Sequence, residues 1–337
     1  MVIPPQIFCP SLKFIKRLRS SYCSSINEEN GRGKSVLWSN IIPNKQENIH
    51  QALLNSDEAC LSLFSDMLSH DLYYGVENHC LSIWGSSPSI QRIHFNSQLL
   101  INLATSVGIL DKWNPRGGSK NPHRVELYIP NDLEILQLLD EHFGFALTFP
   151  EPFIINDSNG DRGWGNSRGV QAIYQAYRMR QASNVVGGIK FLEIGGGMGR
   201  TAFYANKFGL ADFTAIDIPL GMVRQACFLA ATLGENAIWL YGDPPPLNDN
   251  LIKIAPPSYL FNLNKNFDIA LNVDSLTEMS FEDAKKYIVF LRNSTRVFIS
   301  INHEANDFRI RDLWADMWRH AYPLRDGYVE EIGFSFS

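Results

Sequence analysis

The sequence predicts an α/β fold in which a doubly wound parallel sheet follows a mainly helical domain. Two observations carry this prediction. From residue 190 onward, short apolar runs alternate with segments in which apolar residues recur at helical spacing. The runs are apolar throughout instead of alternating with polar residues, which is typical of parallel strands covered by helices on both faces.

The individual elements of this half follow from the same pattern. The expected strands are 190–194, 213–216, 237–241, 267–272 and 296–301, and the expected helices lie near 199–208, 219–233, 280–292 and 306–319. Residues 328–336 are apolar enough to add an edge strand, whose direction the pattern leaves open. Such an alternation predicts a sheet with ligands bound beyond the carboxyl ends of its strands.

The residues ahead of the sheet divide into two regions. Residues 1–50 contain a basic stretch and a long polar run, so we expect a loosely ordered tail. Further along, Leu61, Phe64 and Leu68 lie on one helical face. We therefore expect a mainly helical substrate domain at 51–165 and the sheet domain at 166–337.

Composition excludes several classes of protein. The 337 residues carry a formal net charge of −5, which lacks the broad basic footprint of a nucleic-acid enzyme. The five cysteines are scattered and form no C-x-x-C pair, so neither a disulfide framework nor a zinc site is indicated. No run reaches the roughly 18 apolar residues of a membrane span. We expect a cytoplasmic protein with no nucleic-acid partner and no transmembrane segment.

The turn after the first strand is the most informative segment. Its glycines, Gly195, Gly197 and Gly199, accept positive φ and let the backbone approach a ligand closely. Glu193 stands two residues before the first of them. Its carboxylate can face an ammonium group, which S-adenosyl-L-methionine carries and a dinucleotide lacks. The pattern therefore favours S-adenosyl-L-methionine as the cofactor, bound by these four residues.

A dinucleotide site is the alternative interpretation of the same turn. Its pattern is G-x-G-x-x-G/A, with an acid about 20 residues further on. In the register that fits this pattern, Arg200 occupies the position where a small residue lets helix and strand pack closely. A nicotinamide-dependent oxidoreductase is therefore disfavoured but stays open.

Three polar residues at the ends of later strands are expected to complete the cofactor site. Asp217 follows the second strand and is placed to accept hydrogen bonds from both ribose hydroxyls. Asp243 follows the third strand, within reach of the adenine amino group, and Asn272 ends the fourth. An aspartate after a strand is also a common helix cap or turn residue, so a structural role stays open for both acids.

The candidate catalytic residues follow the fourth and fifth strands. Asp274 and Glu278 are four residues apart and share a face if the segment is helical, where they suit a base, a hydroxyl anchor or ligands of a divalent metal. His303 is our first choice of base, because imidazole titrates near neutral pH. One carboxylate pair without an H-x-x-H motif is compatible with a divalent metal but does not predict one.

Three stretches together resemble one family, the sugar O-methyltransferases associated with bacterial surface-polysaccharide gene clusters. The glycine turn is common to all class I methyltransferases. The helix Y-Q-A-Y-R, the strand end I-D-I-P-L and the segment N-x-D-S-L-x-E-M are more particular to this group. The stretches are 167–178, 191–199 with 215–220, and 272–279 with 301–303. The resemblance covers about residues 130–305.

The resemblance implies a Rossmann-like methyltransferase sheet and methyl transfer from S-adenosylmethionine to a sugar hydroxyl, in polysaccharide or glycan biosynthesis. It does not identify the base. Four arginines lie ahead of the glycine turn, and their guanidinium groups suit phosphates, which is compatible with a nucleotide-linked or lipid-linked sugar. They are Arg162, Arg168, Arg178 and Arg180. A small-molecule O- or N-methyltransferase of secondary metabolism shares every cofactor residue and is the main alternative.

Overall fold

The computed structural model of the chain describes residues 10–28, 46–64, 99–110, 132–147, 167–246, 250–314, 318–325 and 327–335. They group into two compact units. One comprises Met1–Ser86 with Gln175–Ser337, and the other comprises Ser87–Tyr174. The first unit contains the sheet.

The helices and strands of the chain have the following bounds. The helices are α1 (Leu12–Glu28), α2 (Glu47–Asn55), α3 (Asp57–Phe64), α4 (Asp132–Phe143), α5 (Ser167–Val186), α6 (Arg200–Lys207), α7 (Pro219–Leu233), α8 (Pro257–Asn262) and α9 (Phe281–Ser294), with a further helical stretch at 99–106. The strands are β1 (Phe191–Ile194), β2 (Phe213–Ile216), β3 (Ile238–Leu240), β4 (Ile252–Ala255), β5 (Phe267–Val273), β6 (Thr295–His303), β7 (Trp318–Arg325) and β8 (Tyr328–Phe334).

The strands form one sheet in the order β3-β4-β2-β1-β5-β6-β8-β7. Strands β1 to β6 pair in parallel, and β8 runs antiparallel to both β6 and β7. Strands β2, β3 and β4 lie on one side of β1, and the chain then returns to add β5 on the other side. This is a doubly wound sheet whose strand order reverses at β1, so the predicted fold class is confirmed.

The sequence prediction missed strand β4, which lies between β2 and β3. The reason is Lys253, a charged residue in the middle of a short apolar run. Its side chain is buried, and its ammonium group donates to Oδ1 of Asp212 at 2.6 Å. A buried lysine is tolerated because it is paired. The consequence is that β3 is the edge strand, one place further from β2 than the chain order suggests.

The helix expected near 306–319 is wrong. Ile310–Leu313 forms a short 3-10 turn, and strand β7 begins at Trp318. The apolar spacing that looked helical has another cause, because the ring of Trp314 packs against Phe298 of β6 with centroids 4.7 Å apart. The strand expected near 328–336 is present as β8, antiparallel and flanked by β7.

Helix α1 occupies part of the segment expected to be a loose tail. The side chains of Phe14, Ile15 and Leu18 are buried, whereas Leu12 at its start is exposed, and the helix contacts α7 and β3. The basic residues between them form the exposed and partly exposed face, as on an amphipathic helix. This segment therefore belongs to the sheet unit, and the predicted boundary at 165–166 lies outside the described residues.

The described part of the Ser87–Tyr174 unit contains helices and turns. Leu103 of the 99–106 helix and Leu139 of α4 are fully buried, and the N–H of Leu147 donates to Oδ1 of Asp140 at 2.8 Å. The described residues of this unit are thus mainly helical, and the bounds 51–165 of a substrate domain stay a prediction. Within the described ranges, none of the helices combines the length and the apolar character needed to cross a membrane.

Candidate active site

The glycine turn joins β1 to α6 at the carboxyl edge of the sheet. Gly195, Gly197 and Gly199 have φ values of +74°, +59° and +92°, in a region that side-chain-bearing residues rarely adopt. A Cβ atom on Gly195 would lie 2.1 Å from Cβ of Ser275. Conformation and close packing therefore both require glycine here.

Glu193 lies in the middle of the buried strand β1, next to this turn. It is only 4% exposed, and burial raises the pKa of its carboxyl to about 7, with the nearby hydroxyl of Thr201 lowering it and the charge of Asp217 raising it further. Its Oε2 atom is buried without a hydrogen-bond partner among the described residues. A buried acceptor left in this state costs about 1–3 kcal/mol, so the position is suited to a bound donor.

The space beside this oxygen is kept open by Gly196. A Cβ atom at that position would lie 2.8 Å from Oε2 of Glu193 and 3.2 Å from Nε2 of Gln225. Any side chain on residue 196 would therefore compete with whatever approaches the carboxylate. Gly196 is not part of the glycine pattern at 195, 197 and 199 that predicts the site.

Asp217 lies directly after β2, beside the same turn. Its carboxylate accepts the backbone N–H groups of Ile218 at 2.8 Å and Gly197 at 3.2 Å. Burial raises the pKa of the carboxyl to about 6, against the lowering effect of Arg224 and of these hydrogen bonds. The prediction placed Asp217 at the cofactor, and the structure puts it next to the glycine turn.

Gln225 was not found by sequence reasoning. It is fully buried on α7, and its Nε2 donates to Oδ2 of Asp217 at 2.7 Å. No motif marks position 225. It reaches the site because α7 packs against the turn, where a Cβ atom on Gly199 would lie 3.5 Å from Cα of Gln225.

Asp243 is engaged elsewhere in the structure. It follows the edge strand β3, which β4 separates from β2. Its Oδ2 accepts from Nη2 of Arg17 at 2.7 Å and from the N–H of Leu240 at 2.9 Å. The carboxylate thus attaches α1 to the edge of the sheet, and contact with an adenine ring stays a prediction. Pro256 follows β4, the strand that lies next to β2.

Asn272 supports the turn with both of its amide hydrogens. The residue is fully buried, and Nδ2 donates to the carbonyl of Ile194 at 3.0 Å and to the hydroxyl of Ser275. Its Oδ1 accepts from Nδ2 of Asn302 at 3.2 Å. In this arrangement Asn272 ties the ends of β1, β5 and β6 together, and its amide hydrogens are committed to protein acceptors.

Asp274 comes directly after β5 and has an unusual backbone. Its φ of +60° is rare for a residue other than glycine, and such strain is concentrated at functional sites. The hydroxyl of Tyr328, at the start of β8, donates to Oδ2 of Asp274 at 3.1 Å. The sequence analysis missed Tyr328, because only the antiparallel placement of β8 beside β6 brings it to this edge.

His303, the last residue of β6, lies beside the same tyrosine. The two rings meet edge to face with centroids 4.9 Å apart. Nδ1 of His303 accepts the backbone N–H of Ala305 at 3.0 Å, so in the neutral ring the proton is carried by Nε2. The neutral imidazole then offers a donor at Nε2, and its one lone pair, on Nδ1, is already used by Ala305. It therefore has no free lone pair to take a proton from an acceptor hydroxyl. This geometry favours Asp274 over His303 as the base.

Glu278 ends a 3-10 turn that spans Ser275–Glu278. A shared face with Asp274 was expected only for an α-helical segment, and this segment is a 3-10 turn, whose residues repeat every three positions instead of nearly four. The role of Glu278 stays a prediction. Within the described ranges, no group of three or more His, Cys, Asp or Glu residues is arranged to hold a metal ion.

Of the four arginines ahead of the glycine turn, the structure describes the side chains of Arg178 and Arg180. Nε of Arg178 donates to Oε1 of the fully buried Glu330 at 2.7 Å, and the guanidinium of Arg180 lies over the ring of Phe208, 5.5 Å from its centroid. Arg162 and the side chain of Arg168 lie outside the described residues. The two placed arginines therefore have protein partners.

Comparisons with known proteins were made on sequence and on structure. No protein-family model matches the chain, and no curated protein matches it. Among solved structures, the bifunctional kinase-methyltransferase WbdD is 12% identical over 50% of this chain and 39% of its own, with a TM-score of 0.36. An O-methyltransferase family protein from Burkholderia thailandensis is 12% identical over 51% of this chain and 60% of its own, with a TM-score of 0.36.

A third similar structure is the mitomycin 7-O-methyltransferase MmcR. It is 14% identical over 50% of this chain and 56% of its own, with a TM-score of 0.35. The chain thus spans between 39 and 60% of the length of these three proteins. A likeness of this size carries no conclusion about activity, and the case for one rests on the residues of the site.

Proposed function

We propose that the chain is an S-adenosylmethionine-dependent O-methyltransferase acting on a sugar hydroxyl. One observation carries the proposal: the buried carboxylate of Glu193, with an oxygen that lacks a donor, lies beside a glycine turn at the carboxyl edge of a doubly wound sheet. Ligands of such sheets bind at this edge, where the strand order reverses. A cationic donor at this position removes the cost of the buried acceptor.

The residues around the turn fit this cofactor. Glu193 would face the ammonium group of its methionine part, and the N-terminus of α6 favours the carboxylate. Asp217 accepts from two backbone N–H groups and from Gln225, which leaves about one of its four lone-pair sites for a ribose hydroxyl. Asn272 holds the turn in shape. When bound, the cofactor supplies an electrophilic methyl group.

On the acceptor side, Asp274 serves as the base. Its carboxylate takes the proton of the acceptor hydroxyl, and Tyr328 keeps the carboxylate oriented through a 3.1 Å hydrogen bond. His303 donates from Nε2 to an acceptor oxygen, and Glu278 is a further anchor for a hydroxyl. A positioned base contributes typically about 10²- to 10⁴-fold, in addition to holding the reactants in line.

The sugar acceptor is supported by the motif resemblance at 167–178, 215–220 and 272–279. A neutral hydroxyl needs an acceptor for its proton, and a carboxylate next to a phenol provides one. We place the reaction in the cytoplasm and leave the carrier of the sugar, nucleotide or lipid, to the acceptor screen. A small-molecule methyltransferase would have the same cofactor residues, so that screen also separates these two activities.

Calorimetry with S-adenosylmethionine and S-adenosylhomocysteine tests the proposal. We expect both to bind the purified full chain, and NAD and NADP to give no heat. Glu193→Gln should weaken binding of both by about tenfold or more, since hydrogen bonds to charged groups are worth about 1.5–3 kcal/mol. A folded chain that binds neither compound would contradict the proposal. A preference for a dinucleotide would favour the oxidoreductase.

A further inference from the structure

We propose that Gln225 is a positioning residue that holds the carboxylate of Asp217 toward the ribose diol of the ligand. The inference rests on the proposed function, because it assigns a further residue to the same site. Nothing in the sequence motifs points to position 225. The proposal comes from the contact between α7 and the glycine turn.

The contacts leave Gln225 one structural partner in this cluster. It is fully buried, and its Nε2 donates to Oδ2 of Asp217 at 2.7 Å. The same oxygen is 3.2 Å from the N–H of Gly197, and Oδ1 accepts from Ile218 at 2.8 Å. The shortest of these three bonds is therefore the one made by the side chain.

The hydrogen bond from Gln225, on α7, helps to fix the orientation of the Asp217 carboxylate. A Cβ atom on Gly221 would lie 2.2 Å from Oδ1 of Asp217, so the carboxylate packs closely on the first turn of α7. Gln225, one turn further along the same helix, closes the other side. Three protein donors and the close approach of Gly221 hold the carboxylate in place, and about one of its four lone-pair sites is left for the ligand.

The charged groups around Asp217 make this support important. Burial and then the negative charge of Asp217 raise the pKa of Glu193, and the positive charge of Arg224 lowers the pKa of Asp217. Burial raises the pKa of Asp217 to about 6. The amide of Gln225 donates to the ionised form, which has only acceptor sites and can therefore accept a further hydrogen bond from the ribose diol. Removing the amide should favour the protonated form and weaken diol recognition.

A second feature indicates that Gln225 positions Asp217 and does not only fill space in the core. Oε1 of Gln225 is buried without a hydrogen-bond partner among the described residues. An amide retained for packing alone would be replaced at little cost by an apolar side chain, since only one of its polar ends is bonded. The bond to Asp217 is the contact that makes glutamine preferable to methionine or leucine here.

The test compares the binding of S-adenosylhomocysteine with that of its 2′-deoxy and 3′-deoxy analogues, by calorimetry on the full chain. The variants are Gln225→Met, which keeps the volume, and Gln225→Leu, in case the first fails to fold. Thr232→Val is the matched control, because it removes a hydrogen bond on the same helix, from Thr232 to the carbonyl of Phe228 at 2.8 Å, away from Asp217.

We expect the wild type to prefer the full diol by about tenfold and Gln225→Met to reduce that preference to about threefold or less. Thr232→Val should keep the full preference. Adding Gln225→Met to Asp217→Asn should cause no further loss, because the two residues act through one carboxylate. The preference in Gln225→Met should also fall more steeply with decreasing pH than in the wild type.

An unchanged preference in a folded Gln225→Met or Gln225→Leu chain, with wild-type binding intact, would overturn this inference alone. Additive losses in the double variant would overturn it as well. Absence of binding by the wild type would overturn the proposed function together with the inference. The preference ratio distinguishes these cases, because a merely structural role of Gln225 would weaken all three ligands equally.

Discussion

At the scale of single residues, two buried carboxyl groups with raised pKa values, Glu193 and Asp217, lie beside one turn. One oxygen of Glu193 lacks a hydrogen-bond partner among the described residues. Burial raises the pKa of Glu193 to about 7 and that of Asp217 to about 6. Both groups are therefore poised to change charge near neutral pH, which is unusual for carboxylates. A site of this kind is stabilised by a ligand that brings donors and positive charge.

Replacing Glu193 with glutamine should make stability less dependent on pH. The folded-state pKa lies above the value of about 4.3 for an unfolded glutamate, so the wild type loses stability as pH rises from about 4.5 to 7. Urea denaturation at a series of pH values should show Glu193→Gln more stable than the wild type at pH 8, by roughly 3 kcal/mol. The gap should close toward pH 4.5.

The control for this prediction is Glu282→Gln, a change at an exposed position in the first turn of α9. It should leave the pH dependence of the wild type in place. A stability difference between Glu193→Gln and the wild type that is the same at pH 4.5 and pH 8 would be incompatible with a raised pKa at this carboxyl.

Removing the hydroxyl of Tyr328 should affect turnover more than cofactor binding. Tyr328→Phe keeps the ring against His303 but loses the hydrogen bond to Asp274. We expect kcat with an accepted sugar to fall by about tenfold or more, with the affinity for S-adenosylhomocysteine unchanged. Steady-state kinetics and calorimetry on the same preparation measure both quantities.

Tyr241→Phe is the matched control, since it removes a hydrogen bond to Glu28 at the far side of the sheet. It should leave kcat unchanged. Equal activity of Tyr328→Phe and the wild type would remove the tyrosine from the acceptor site.

At the scale of elements, helix α1 acts as a cover for the sheet edge. Arg17 bonds to Asp243 through two nitrogens and donates from Nη2 to the carbonyl of Ile238 at 2.8 Å. Glu28, at the other end of the helix, accepts from Tyr241 at 2.6 Å and from Ser258 at 3.0 Å. An edge strand with unpaired backbone groups favours aggregation, and α1 packs against β3.

Breaking this attachment should cost stability without changing cofactor binding. Arg17→Met and Asp243→Asn are each expected to lower the free energy of unfolding by about 1–2 kcal/mol, because the pair is partly buried and geometrically well matched. The double variant should lose less than the sum of the two. Urea denaturation gives these values, and calorimetry gives the affinity.

The same pair of variants decides between the two interpretations of Asp243. If the carboxylate contacts adenine, Asp243→Asn weakens cofactor binding while Arg17→Met has little effect. If it serves only to hold α1, both variants bind the cofactor like the wild type. The structure leads us to expect the second result.

At the scale of the whole molecule, the doubly wound sheet brings the ends of distant chain segments to one edge. The backbone N–H of Gly195 donates to the carbonyl of Ile216 at 2.8 Å, and that of Asp274 donates to the carbonyl of Ile301 at 3.2 Å. The site is built from the ends of β1, β2, β5 and β6, together with the start of β8. A ligand bound there stabilises the folded chain relative to the unfolded one.

This linkage gives a prediction for the intact protein. S-adenosylhomocysteine at about 100 times its Kd should add about 2.7 kcal/mol to the free energy of unfolding and raise the Tm by several degrees. Scanning calorimetry with increasing ligand measures the shift. NAD at the same concentration is the control, and an equal shift with NAD would contradict the proposed specificity.

Local pattern determined much of the site. The strand, the glycine turn and the position of Glu193 before it could be predicted, because each of these features depends on residues next to each other in the chain. The same holds for Asp217 after β2 and Asp274 after β5, since the position after a parallel strand is a local property. The family resemblance in the strand ends is what suggests a sugar hydroxyl as the methyl acceptor, which the individual residues do not indicate.

The tertiary structure decided what depends on contacts between distant segments. In the folded chain β4 pairs with β2, and Lys253 of β4 forms a buried ion pair with Asp212. Asp243 forms an ion pair with Arg17. Gln225 and Tyr328 reach the site through hydrogen bonds to Asp217 and Asp274. None of these contacts is visible in sequence, because a buried charge or a hydrogen-bonded amide is stable only with a partner that folding supplies. Local sequence determined most of the elements and the residues that end them, except β4 and the segment at 306–319. Packing decided which side chains meet.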